Sequence, residues 1–266
     1  GTLLTEEAVD SLKSAGVNRV GISIDGLEST NDRFRGRSGA YQEALDGILR
    51  CQAAGFRVSL RFTMTRQNVD ELDDIFAMAV ALGIPRLCVY HLAYAGRGRR
   101  LLPNDLERER RRQAVDRIFQ RTLEVNENGQ ELEVLTVDNH TDGPYLLMWA
   151  REHVPDRVPE INRLLTRNGG NSAGKGIGCI DERGYVHPDQ FWRTRSVGNV
   201  RERPFSVIWQ DESVSLLAQL RARRSLLPQV CRECRFLPQC NGNLRARADA
   251  ATGDPWGEDP ACYLTE

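Results

Sequence analysis

Four of the seven cysteines, Cys231, Cys234, Cys240 and Cys262, lie near the C-terminus in the spacing C-x2-C-x5-C-x21-C. The segment that carries them is rich in Gly, Asn, Asp and Pro and has no periodic apolar stripe, so packing alone gives it little reason to fold. Four thiolates gathered by short loops can hold a tetrahedral metal ion or the four corners of an iron–sulfur cube, and the bound group then orders the loops. A structural zinc knuckle is the open alternative. Disulfides fit less well: the cysteines are odd in number and clustered, and no secretory segment is visible, a pattern that suits a reducing cytoplasm.

A length of 266 residues gives one large domain or two smaller ones. With 40% hydrophobic and 27% charged residues, the composition is that of a soluble globular chain, and no apolar run approaches a membrane span. A net charge of −1 argues against general nucleic-acid binding. All but two of the 36 basic residues, Lys13 and Lys175, are arginine. A GC-rich genome explains most of them, and some can grip carboxylates with the two-pronged guanidinium. The chain opens on Gly1 rather than methionine, which suggests a fragment.

The first hundred residues alternate helix and strand signals. Residues 19–25 read as a strand with Val20, Ile22 and Ile24 on one face and Gly21, Ser23 and Asp25 on the other. Residues 26–39 read as a polar loop, followed by a helix bearing Leu45, Ile48 and Leu49 that Gly55 closes. A second strand, 57–65, alternates throughout: Val58, Leu60, Phe62 and Met64 face one way, Arg61 and Thr63 the other. A helix over 69–82 and a third strand over 86–92 follow. Connections this long imply parallel neighbours. In a closed α/β barrel the outward strand face meets helices, and the inward face is polar only around a ligand. Ser23, Asp25, Arg61 and Thr63 then line a lumen; an edge facing water is the alternative. Beyond lie an arginine-rich helix over 104–128 with a solvated charged face, a less regular stretch, and a loop at 168–174. A hairpin then turns near 182–184.

The cysteine run with CNGNLRAR and DPACYL resembles the C-terminal SPASM/twitch domain of radical S-adenosylmethionine (SAM) enzymes. GISIDGLE, RFTMTRQN, YHLAYAGRGRR, LTVDNHTDGPYLL, NGGNSAGKGIG, VHPDQFW and GNVRERPFSVIW extend the likeness over nearly the whole chain, to the NirJ/AhbC group that trims didecarboxysirohaem side chains. The resemblance implies an α/β fold: the C-terminal half of a partial (β/α)6 radical SAM barrel (1–103), a helical linker (104–168), and a small cysteine-rich SPASM/twitch domain (169–266). It implies SAM near Ser23 and Asp25, with its methionine carboxylate on Arg35 or Arg61. Cys231, Cys234, Cys240 and Cys262 would hold an auxiliary [4Fe-4S] cluster, and Cys179 is read as a buried small residue.

The family's CxxxCxxC motif, which binds the SAM-cleaving [4Fe-4S] cluster, does not occur in this sequence. That second cluster is expected in an N-terminal part not included here, and these residues alone are expected to be inactive. In the complete enzyme, a radical made from SAM takes hydrogen from a substrate side chain and a carbon–carbon bond breaks. Arg97 and Arg99 would meet substrate carboxylates; His187 and His140 are candidates for contacting the substrate iron or moving a proton. The implied partners are didecarboxysirohaem and an electron donor such as ferredoxin or flavodoxin, with neither nucleic acid nor membrane. Acetate removal (AhbC-like) is favoured over propionate removal toward haem d₁ (NirJ-like). A peptide-modifying SPASM enzyme and a zinc-stabilised binding module remain as alternatives.

Overall fold

The structure, a computed structural model, describes residues 1–264. The chain separates into two compact units, one made of Gly1–Leu92 with Asn104–Val137, the other of Ala93–Pro103 with residues 138–264. The segment 104–137 thus belongs with the first unit, and 138–168 with the cysteine-bearing one.

The first unit runs α1 (Glu6–Ser14), β1 (Arg19–Ser23), α2 (Glu28–Arg35), α3 (Ala40–Ala53), β2 (Arg57–Thr63), α4 (Leu72–Ala81), β3 (Arg86–Tyr90), α5 (Arg108–Glu127) and β4 (Glu133–Val137). Its strands form one parallel sheet in the order β1-β2-β3-β4, with Ser23 beside Arg61 and Thr63 beside Tyr90. The period-two pattern decides which face is dry. Ile22, Ile24, Val58, Leu60, Phe62, Leu87 and Val89 are buried together with Ile48, Cys51, Ile75, Phe76 and Ile118. Each large apolar side chain so buried stabilises the unit by about 1.5–3 kcal/mol.

Four expectations change here. A fourth parallel strand, β4, extends the sheet beyond the three strands read from the sequence, and the expected polar loop at 26–39 contains α2. The helix expected from 104 begins at Arg108. Its charges are not all solvated: Arg111 is buried and pairs with Asp105 at 2.7 Å.

The second unit contains α6 (Asp142–His153), α7 (Val158–Asn168), β5 (Cys179–Ile180), β6 (Tyr185–His187), β7 (Gly198–Asn199), α8 (Phe205–Gln210), α9 (Ser215–Arg221), α10 (Gln229–Glu233), α11 (Leu237–Cys240) and α12 (Arg245–Thr252). The three short strands form an antiparallel sheet, and the expected hairpin is β5–β6. Its apolar clusters are small. One centres on Val186, Ile208 and Leu217, the other on Trp192, Leu220 and Leu244. Among the described residues no helix is long and apolar enough to cross a membrane.

Candidate functional site

In the first unit, Asp25 follows the end of β1 and is buried. Its Oδ1 accepts the Thr63 N–H at 3.0 Å, its N–H donates to Asn31 Oδ1 at 3.0 Å, and its carbonyl accepts Asn68 Nδ2 at 3.0 Å. The Arg35 guanidinium forms an ion pair with Oδ2. Burial pushes the Asp25 carboxyl up, against the pull of Arg35 and the Thr63 N–H. This aspartate therefore ties β1, β2, α2 and the turn after β2 together. Arg61 stands apart from that knot. It is exposed on the polar face of β2, its side chain makes no hydrogen bond among the described residues, and it helps line a cavity of about 200 Å³ with Arg19, Gly21, Arg57 and Ser59. The Arg61 guanidinium lies over Gly21, in the space that a Cβ at that position would occupy.

In the second unit, Cys231 lies in α10, Cys234 follows it, Cys240 ends α11, and Cys262 lies in the loop after α12. None is disulfide-bonded. Cys231 feels the charges of Cys262 and Cys234, and Cys240 those of Cys262 and Cys231, so the four thiols share one neighbourhood. As placed, no three His, Cys, Asp or Glu side chains among the described residues converge closely enough for one metal ion. Burial, then nearby thiols, pushes Cys231 up to about 11 and raises Cys240 as well. Thiols held protonated in this way give up their protons when they ligate a metal.

A buried polar network fixes this neighbourhood. After Cys240, Asn241, Gly242 and Asn243 all take positive φ, a turn that asparagine and glycine tolerate. Asn243 Oδ1 accepts the His140 N–H at 2.8 Å, while Nδ2 donates to Asn139 Oδ1 at 2.6 Å and to Thr141 Oγ1 at 2.9 Å. Arg247 and Asp259 form a fully buried pair, with Nε to Oδ1 at 2.7 Å and Nη2 to Oδ2 at 3.0 Å. Asp259 also accepts the N–H groups of Leu244 and Ala261, and its carbonyl accepts that of Cys262. Gly170 packs so closely that a Cβ would strike the Cys240 carbonyl, which accepts the Asn171 N–H at 3.1 Å.

The remaining sequence candidates are dispersed. His187 is buried, with Nδ1 donating to the Arg195 carbonyl at 2.8 Å and Nε2 facing Asp181 Oδ2 at 3.3 Å; both ring nitrogens serve the hairpin. Cys179 sits opposite it on β5. Burial first, and then Arg247, lowers the His140 ring to about 4, leaving it neutral at pH 7. Arg97 and Arg99 are exposed on a 3₁₀ turn, Gly96–Asn104. Sequence reasoning missed Asp138, the first residue after β4. It takes φ 68°, and burial, reinforced by Asp189 and opposed by Arg247, raises its carboxyl to about 7. The one signal was an acidic residue ending the apolar run of LTVDNH.

Residues 1–79 match the radical SAM superfamily and residues 172–235 match SPASM, an iron–sulfur cluster-binding domain. The chain belongs to the radical SAM enzymes that carry a SPASM iron–sulfur domain, so its cofactors are SAM and iron–sulfur clusters. It is 51% identical to the Fe-coproporphyrin III synthase of Methanosarcina barkeri, over 100% of this chain and 67% of that protein. It is 42% identical to the pre-heme d1 synthase of Dinoroseobacter shibae, over 100% of this chain and 66% of that one. The chain thus spans about two thirds of the length of these relatives. Native anSMEcpe with bound AdoMet shares the fold, with a TM-score of 0.71 at 14% identity over 98% of this chain and 68% of its own.

Proposed function

We propose that the chain forms part of a radical SAM enzyme that removes acetate side chains from didecarboxysirohaem to give Fe-coproporphyrin III. The observation that carries this reading is the 51% identity, over the whole chain, to a Fe-coproporphyrin III synthase. The 42% identity to a pre-heme d1 synthase favours propionate removal as the second reading. Both relatives act on tetrapyrroles by name, and this weighs against a peptide substrate.

Cys231, Cys234, Cys240 and Cys262 hold the auxiliary [4Fe-4S] cluster in this reading, supported by a donor set of four unbridged thiols in one neighbourhood. Bound there, the cluster supplies one-electron chemistry fed by a low-potential ferredoxin or flavodoxin. With SAM bound at the sheet, Arg61 holds its methionine carboxylate, because Arg35 is already paired with Asp25. Ser23 and Asp25 shape the same end of β1. Asp138, whose carboxyl titrates near neutrality, holds or releases a proton beside the substrate. Arg97 and Arg99 meet substrate carboxylates.

The test is anaerobic reconstitution followed by assay of iron, acid-labile sulfide and zinc, then titration with didecarboxysirohaem. About four irons and four sulfides per chain, lost in Cys231→Ala, together with saturable tetrapyrrole binding, are expected. One zinc without sulfide, or no tetrapyrrole binding by a fully loaded chain, overturns the reading.

A further inference from the structure

Three arginines of the second unit, Arg223, Arg245 and Arg247, are buried. Two are fully engaged. Arg247 bonds Asp259, Asn139 and the Asp138 carbonyl, and Arg223 bonds Asn171 and the carbonyls of Ala173 and Leu220. Arg245 differs. Its Nη1 donates to the carbonyls of Pro255 at 3.1 Å and Gly257 at 2.8 Å, but its Nε and Nη2 are buried without any partner. Buried donors are almost always satisfied, and a cationic one left bare is costly, so its missing acceptor calls for a ligand.

The position of Arg245 says which ligand. It opens α12, five residues after Cys240, and its Nη1 is fastened to the loop that ends on Cys262. Burial lowers its affinity for its proton, opposed first by Asp259 and then by Cys231 and Cys240. Arg245 is therefore held, by its own backbone and by the 255–257 carbonyls, within the field of the proposed cluster ligands.

We propose that Arg245 donates its Nε–H and Nη2–H to the sulfur atoms of the auxiliary cluster and raises the cluster's reduction potential. This rests on the reading that the four cysteines hold an iron–sulfur cluster. A cube with four thiolates is anionic and becomes more so when it takes up one electron. A buried cation with two donors favours the reduced form, because hydrogen bonds to sulfur and local charge set the potential of such clusters. Arg245 touches no substrate in this assignment; it is a positioning and tuning residue.

The experiment compares the wild-type chain with Arg245→Met and Arg245→Lys, each reconstituted anaerobically and assayed for iron and sulfide. Each is then reduced stepwise with dithionite while the paramagnetic reduced cluster is followed by electron paramagnetic resonance. The Met variant is expected to keep its iron and sulfide yet hold at least tenfold less reduced cluster at a given potential, about 59 mV more negative for one electron. The Lys variant keeps the charge and recovers part of the shift. If Met destabilises the unit, the Lys variant still decides, because loss of the planar fork alone should alter the resonance line shape. Fully loaded variants with wild-type potential and line shape overturn the proposal. A wild-type chain that binds zinc and no sulfide overturns the cluster reading itself, an outcome distinguishable at the assay step.

Discussion

Replacing Arg247 by Met removes one half of a buried ion pair and leaves the other half behind. The hydrogen bonds that go with it include two to Asp259, one to the Asp138 carbonyl and one to Asn139 Oδ1. Asn139 Oδ1 keeps Asn243 as a donor, and Asp259 keeps the N–H groups of Leu244 and Ala261 at 2.9 Å. The carboxylate nonetheless loses the guanidinium that is bonded to both of its oxygens, and breaking a buried pair this way costs about 3–5 kcal/mol. The assay is convenient, because all four tryptophans, Trp149, Trp192, Trp209 and Trp256, belong to the second unit. Urea unfolding followed by tryptophan fluorescence should show the midpoint falling by roughly 2 M, taking a slope of about 2 kcal/mol per M. The pH dependence adds a sign. Burial raises the Asp259 carboxyl, but Arg247 and its hydrogen bonds pull it below the ordinary value overall. The wild type therefore carries this stabilisation above about pH 3.9 and loses it as pH falls. In the variant the upward push of burial is opposed by the two backbone donors and the Arg245 charge alone, so acidification should cost less of this stability. The double variant Arg247→Met, Asp259→Leu should be less destabilised than Arg247→Met alone. A single-variant loss below about 1 kcal/mol would refute the reasoning, since it would mean that water solvates Asp259.

Gly170→Ala places a Cβ against the Cys240 carbonyl at φ 71° neighbouring Gly169, at a residue that itself has φ 68°. It should lower iron and sulfide loading severely, whereas Gly253→Ala, with φ 79° and open space, should cost only about 1 kcal/mol and leave loading intact. Equal loading in both would refute the close approach. Asp138 has its carboxyl raised to about 7, so the folded chain binds a proton that the unfolded chain releases near pH 3.9; stability should fall as pH rises between these values. Asp138→Asn should abolish that decline, and an unchanged pH–stability curve counts against the raised carboxyl. Arg61→Lys should weaken SAM binding by about tenfold or more in equilibrium dialysis of the reconstituted chain, because a single ammonium cannot replace the fork. Unaltered affinity would return the carboxylate to Arg35.

The strands β1, β2 and β3 are legible because each carries a dry face, and alternation at residues 57–65 survives intact from sequence to burial. β4 is not legible, for a physical reason. Its burial runs exposed and intermediate throughout, with Leu135 exposed, so no alternating apolar face marks it. α2 is hidden for another reason. ESTNDRFR buries only Thr30 and Asn31, and the helix start is held by Glu71, whose Oε2 accepts the Leu27 N–H at 2.6 Å from another part of the chain. The four cysteines proposed to hold the cluster are plain in the sequence because spacing is a one-dimensional signal. Asp138 and Arg245 are not, since what marks them is burial and the presence or absence of partners, and these exist only once the chain is folded.

The cysteine segment lacks an apolar core of its own, and the sequence alone leaves its order to the bound group. The structure supplies a second source of order. Asn243 ties the turn after Cys240 to residues 139–141, Asp259 ties the Cys262 loop to the start of α12, and Tyr263 donates to Asp142 Oδ1 at 2.6 Å. These bonds join protein to protein and do not pass through the thiols. A zinc finger without its metal has no such scaffold and unfolds. Here the polar network sets the loop positions, and Cys231 and Cys240, whose thiols burial holds protonated, stand within it. On the proposed reading, loading exchanges protons for iron on a preformed frame, and the energy that a zinc finger spends on folding remains available for holding the cluster. The non-ligand residues of CNGNLRAR are thus as much a part of the site as its cysteine: asparagines to make the turn, Arg247 to lock it, and Arg245 with two donors still to give.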